Sequence, residues 1–148
     1  MKKWWLVLLL IVATGCAVGE AAGPEEIDPS VDSCKLCHMG IQQVDAASQV
    51  IKDDGMPEKF DDIGCMLTYM KENKTSQAFV QDYHTQKWVD LEEAYIVHEP
   101  RMETPMNYGF IAFLKKVDAE EFIAANGGEV YKGMEVMDAE LQRRKMQH

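Results

Sequence analysis

Between residues 48 and 132 the apolar residues fall in short runs rich in Val, Ile, Phe, Tyr and Trp, broken twice by stretches with helical spacing. That alternation restricts the fold more than any other feature of the chain, because such short runs suit strands and neither interruption is long enough for a helical bundle. "SQVIKD" (48–53) runs into the turn signal Asp53-Asp54-Gly55, and "MPEKF" (56–60) is the returning strand. "DDIGCMLTYMKEN" (61–73) opens on a capping acid, and Ile63, Met66, Leu67 and Met70 recur at i, i+3, i+4 and i+7, an amphipathic helix. "AFVQDY" (78–83) and "KWVDL" (87–91) follow as strands.

The order then returns. "AYIVHE" (94–99) and "GFIAFLK" (109–115) are expected strands. "DAEEFIAANGG" (118–128) is a helix opening near Asp118 and stopped by Gly127-Gly128, and "EVYK" (129–132) is a last strand. The fold class expected is α+β: two small related ββαβ units packed in one compact globular part, plus a short C-terminal helix from Gly133 that carries Met134, Met137 and Leu141. The units are placed at 33–90 and 91–148.

The first residues point to a compartment. Lys2 and Lys3 precede a ten-residue apolar stretch, Trp4 to Ala13. It is too short to span a bilayer, which takes roughly 20 residues, and suits a secretory signal. It ends in Ala13-Thr14-Gly15-Cys16, which resembles a lipobox, so residues 1–15 are expected to be a lipoprotein signal peptide and Cys16 the lipidated residue. Residues 16–32 are small, acidic and interrupted by Pro24 and Pro29, the composition of a flexible tether. The expected location is the bacterial cell envelope: lipid-anchored, extracytoplasmic, and on the periplasmic side of a membrane in a Gram-negative cell.

Removing residues 1–15 takes Lys2 and Lys3 from the 15 basic residues and nothing from the 25 acidic ones, moving the formal charge from −10 to −12. Nucleic acid is excluded as a partner, since phosphate binding needs clustered Lys and Arg. Lipidation would also leave three thiols, Cys34, Cys37 and Cys65, an odd number for a scaffold stapled by disulfides.

Two of those thiols lie in "CKLCHM" (34–39), which admits several chemistries. Cys34-x-x-Cys37-His38 is the spacing of c-type haem attachment, with Met106 as a distal ligand and electron transfer as the function. Cys34 and Cys37 also suit a thiol–disulfide oxidoreductase or half of a zinc site. Cys37 and Met39 together offer a thiolate and a thioether, soft donors that select Cu(I). The sheet-like composition of 78–114 weighs against a helical monohaem cytochrome, and the βαβ setting of a thioredoxin-like motif is missing.

"FDDIGCMLTYM" (60–70), "TPMNYGFIAF" (104–113), "WVDLEEAYIV" (88–97) and "FIAANGGEV" (122–130), together with Cys34-x-x-Cys37-x-Met39 and the lipobox, resemble the NosL family. These are copper-chaperone lipoproteins linked to nitrous oxide reductase. The resemblance implies two ββαβ modules and a Cu(I) site on Cys37, Met39 and Met106. His38 stands where the family commonly has glycine and, with Cys34, is a candidate further ligand. The resemblance further implies a monomer that is not an enzyme, held to a membrane by its N-terminal lipid. It would hand Cu(I) to apo nitrous oxide reductase or another copper-accepting protein in denitrification. Met66, Met70, Met134 and Met137 are expected in the core, Cys65 as a buried inert thiol, and His84 and His98 on the surface.

Overall fold

The structure is a computed structural model that describes residues 23–75 and 77–145. The expected signal peptide and the lipidation site Cys16 lie outside the described residues. No helix among the described residues is long and apolar enough to cross a membrane.

The chain is α+β, with two antiparallel sheets. The first contains β1 (Ser48–Ile51), β2 (Pro57–Phe60), β3 (Gln77–Gln81) and β4 (Trp88–Asp90) in the order β2-β1-β3-β4. Helix α1 (Ile63–Glu72) connects β2 to β3. The second sheet contains β5 (Tyr95–His98), β6 (Phe110–Phe113) and β7 (Glu129–Lys132) in the order β6-β5-β7, with α2 (Lys116–Asn126) between β6 and β7. Each sheet thus sets its first strand between its second and third, so the repeated order seen in the sequence corresponds to a repeated topology. β4 is an addition to the edge of the first sheet.

The two sheets share a core. Val50, Phe60, Ala78, Val80 and Val89 of the first sheet meet Ile96, Phe110 and Ala112 of the second, with Met66 and Leu67 of α1 between them. Along β6 the faces alternate as a pleated strand requires. Phe110 and Ala112 enter this core, whereas Ile111 and Phe113 pack with Ala119, Phe122 and Ile123 of α2.

Asp82 closes the seam between the sheets. Its Oδ1 accepts from Leu114 N at 2.8 Å and its Oδ2 from Thr85 N at 2.9 Å and Thr85 Oγ1 at 2.7 Å, while the next residue's Tyr83 N donates to Ala112 O at 2.7 Å. Burial works against ionisation of this carboxyl, but these donors and the nearby His84 outweigh it and hold its pKa below the usual value.

Several local expectations are revised. Residues 25–32, expected within the tether, lie against the first sheet: Ile27 packs with Ile41 and Ala47, and Glu25 N donates to Gln49 Oε1 at 3.0 Å. The C-terminal helix is a 3₁₀ turn, Gly133–Asp138, in which Val136 is buried and Met134 is exposed. The narrower 3₁₀ turn changes which residue faces inward. His98 is half-buried rather than on the surface, stacked on Phe110 with ring centroids 4.3 Å apart, because it belongs to the core-facing row of β5.

Candidate metal centre

"CKLCHM" forms a closed loop. Ser33 and Gly40 pair as an antiparallel bridge across its base, Cys34 N donates to Met39 O at 2.8 Å, and His38 N donates to Cys34 O at 2.9 Å. Lys35 N donates to Lys59 O at 2.8 Å and pins the loop to β2. The stretch is a turn rather than the extended run that would set Cys37 and Met39 on one face. It closes through His38, whose φ of 62° lies in the left-handed region that favours glycine. Holding a side chain there costs about 1–2 kcal/mol.

The loop sends its sulfur atoms in different directions. Met39 is 54 % exposed, as its loop position at the surface dictates, and His38 is exposed beside it. Cys37 is half-buried, and its Sγ donates to Asp61 Oδ2 at 3.3 Å. Cys34 is completely buried. Cys65, on the first turn of α1, is buried against it. The sulfur atoms of Cys34, Cys37 and Cys65 and a carboxylate oxygen of Asp61 all lie within 4.8 Å of one another.

Charge is unevenly shared among these groups. The Cys65 thiol donates toward Cys34, and Cys37 N donates to Cys34 Sγ at 3.5 Å. These donors outweigh burial and pull the Cys34 pKa down to about 6. Burial, with the neighbouring Cys34 and Asp61, pushes Cys37 up to about 12. The hydrogen bond to Cys34, with burial behind it, pushes Cys65 up. Cys34 is thus the thiol of the three most readily ionised, and a bound cation would displace the protons of all three.

Asp62, the residue after Asp61, ties in Met106. As the N-cap of α1 it accepts from Gly64 N through Oδ1 at 2.8 Å. Its Oδ2 accepts from Thr104 Oγ1 at 2.6 Å and from Met106 N at 2.9 Å. Burial pushes the Asp62 carboxyl up against the pull of these donors. Met106 is thereby fixed, half-buried, at the end of α1 where Asp61 meets Cys37. The Met106 loop is also held from outside: Arg144 N donates to Asn107 O at 2.9 Å and Arg144 Nη1 to Arg101 O at 2.9 Å.

Of the residues singled out in the sequence, Cys34 and Cys37 meet directly, Met106 is anchored by its backbone N–H to Asp62, and Met39 and His38 stand at the surface. Sequence reasoning passed over Asp61 and set Cys65 aside as inert. No sequence signal joins them: Asp61 precedes the Asp62 cap and so lies outside the helix, and Cys65 is spaced like a core residue of its first turn. Chemically the arrangement offers three thiol sulfurs, two thioethers on flanking loops and one carboxylate, a donor set dominated by soft atoms.

The NosL family model matches residues 25–141. Among solved structures, the crystal structure of the copper chaperone NosL from Shewanella denitrificans matches with a TM-score of 0.70 and 20 % identity, over 80 % of this chain and 98 % of that one. No curated protein matches.

Proposed function

This chain belongs to the NosL family, and on that premise we propose that it is an extracytoplasmic, lipid-anchored carrier of Cu(I) that loads a copper enzyme, nitrous oxide reductase. The observation that supports this most directly is that a half-buried thiol, Cys37, and Met106 on a second loop are held by neighbouring residues. Both are tied to the start of α1, by Asp61 and Asp62 respectively. The ligands proposed for the cargo are Cys37, Met39 and Met106, with His38 at hand for a fourth contact.

The chemistry of transfer follows from the donors. Cys37 supplies the one charged ligand, and Met39 and Met106 supply neutral thioethers that need no deprotonation. An exposed Met39 can leave the ion first, so that an acceptor's ligand takes its place before Cys37 lets go. Two electrons of a sulfur lone pair are exchanged for two of another, and copper stays Cu(I) throughout.

The haem reading meets an obstacle in burial. Thioether attachment needs both cysteine sulfurs open to the porphyrin edge, and Cys34 is sealed beneath its own loop with 0 % exposure. The oxidoreductase reading has the same difficulty, since its attacking thiol must reach a substrate disulfide.

Cu(I) competition titration of the reduced full-length protein tests the proposal. Cys37→Ser, Met39→Leu and Met106→Leu should each weaken Cu(I) binding while leaving the melting temperature close to wild type, and Cys37→Ser should weaken it most. Unchanged Cu(I) affinity in Met106→Leu removes that residue from the site. For the anchor, Cys16→Ser should move the protein from the membrane to the soluble extracytoplasmic fraction, and unchanged fractionation refutes lipidation.

A further inference from the structure

The inner face of the metal centre is better assembled than the outer one. Cys37 turns its sulfur toward Asp61, Cys34 and Cys65, while Met39 stands 54 % exposed in solvent. Cys34 and Cys65 are 0 % and 1 % exposed, so this inner group is closed to water on two of its three sulfurs. A trigonal ion with metal–sulfur bonds of roughly 2.3 Å needs its sulfurs roughly 4 Å apart. The three sulfurs already lie within 4.8 Å of one another, so small side-chain rotations complete such a triangle.

A second observation points to a cation. Asp61 is 3 % exposed, and its Oδ1 is buried without a hydrogen-bond partner among the described residues. An unpartnered buried carboxylate oxygen is costly, and native structures rarely keep one without a compensating proton, water or ion. Its partner oxygen, Oδ2, receives the Cys37 thiol. The carboxylate thus faces the place where positive charge would sit among the thiols.

We propose that Cys34, Cys37 and Cys65 form a second, buried three-thiolate position for the cargo, with Asp61 beside it and Cys37 common to both positions. This rests on the reading of the protein as a Cu(I) carrier. Copper moving inward keeps its bond to Cys37, loses those to Met39 and Met106, and gains bonds to Cys34 and Cys65. The displaced thiol protons leave to solvent, and no electron changes hands. Anionic thiolates in a water-poor site hold Cu(I) more tightly than neutral thioethers at the surface. The inner position therefore retains the ion and the outer position presents it, and on delivery Met39 and Met106 replace Cys34 and Cys65, which take their protons back from solvent.

Copper X-ray absorption on the full-length protein labelled with selenomethionine separates the two positions without any mutation. Selenium in the Met39 and Met106 side chains marks the outer position. Reduced protein given substoichiometric Cu(I) should show three sulfur scatterers and no copper–selenium distance. A copper–selenium shell with a single sulfur at every loading overturns the buried position and leaves the carrier reading standing. No bound copper at any loading overturns both. In a second measurement, Cys65→Ala and, separately, Cys34→Ala should each bring copper–selenium scattering into the spectrum at the same low loading, because the ion then falls back on Cys37 and the outer thioethers. A spectrum of either variant that matches wild type overturns the proposal.

Discussion

Asp62→Asn separates the two duties of one carboxylate, capping α1 and anchoring the Met106 loop. Asparagine is as good an N-cap as aspartate, so its carbonyl oxygen can keep the bond from Gly64 N. Its amide nitrogen then faces Thr104 Oγ1 and Met106 N, where Oδ2 accepted at 2.6 and 2.9 Å. The threonine hydroxyl can turn and accept instead, but Met106 N is a donor only and loses its acceptor. A buried donor left unpaired costs about 1–3 kcal/mol. Removing a carboxylate that burial already disfavours returns part of that, so a net loss of about 2 kcal/mol is expected. For a domain of this size about 1 kcal/mol moves Tm by about 4 °C, which places the variant about 8 °C below wild type.

Asp62→Ala also removes the cap, for about 1 kcal/mol more, or about 4 °C further. Far-UV circular dichroism melts of the reduced proteins at neutral pH give the order wild type, Asn, Ala, and amide exchange at Met106 should quicken in both variants. An Asn variant that melts with wild type, or whose Met106 amide stays protected, refutes the account of the anchor.

Gly64→Ala should destabilise by about 2 kcal/mol in urea despite the roughly 1 kcal/mol that alanine gains in a helix, because overpacking outweighs propensity. The added Cβ would fall 2.1 Å from Tyr108 Cγ; a stabilised variant would show that ring free to move. Asp82→Asn should lower stability at neutral pH by removing a charged acceptor from the seam. The folded pKa of Asp82 lies below its reference of 3.8, so its contribution is full above that value and fades as pH falls through the folded pKa. Urea midpoints of wild type and variant should therefore differ at pH 7 and converge under acid, and a constant gap down to pH 2 would refute this. Ile27→Ala should cost about 2–3 kcal/mol as a buried truncation, whereas the same change in a free tether would cost nothing measurable.

The secondary structure of this protein was legible in its sequence because it rests on local rules. Apolar periodicity, the Asp62 cap and the paired glycines after α2 place seven strands and two helices within a few residues of their positions. The repeated order of elements was equally plain, and it became a repeated topology through antiparallel pairing around β1 and β5. At the candidate metal centre the sequence named Cys34, Cys37 and Met39 from donor chemistry and spacing, and Met106 through the family resemblance. It could not show that Cys65, spaced like an ordinary core residue of α1, meets Cys34 across a contact thirty-one residues long, nor that Asp61 turns toward them while Asp62 turns toward Met106. Likewise, Cys37 and Met39 look equivalent in an extended chain and part company only because the loop closes through a left-handed His38. Donor identity is a property of residue type and is written in the sequence. Which donors converge, which are shielded from water and which face an acceptor depend on the packing of α1 against the 34–39 and 104–107 loops, and only the tertiary structure decides that.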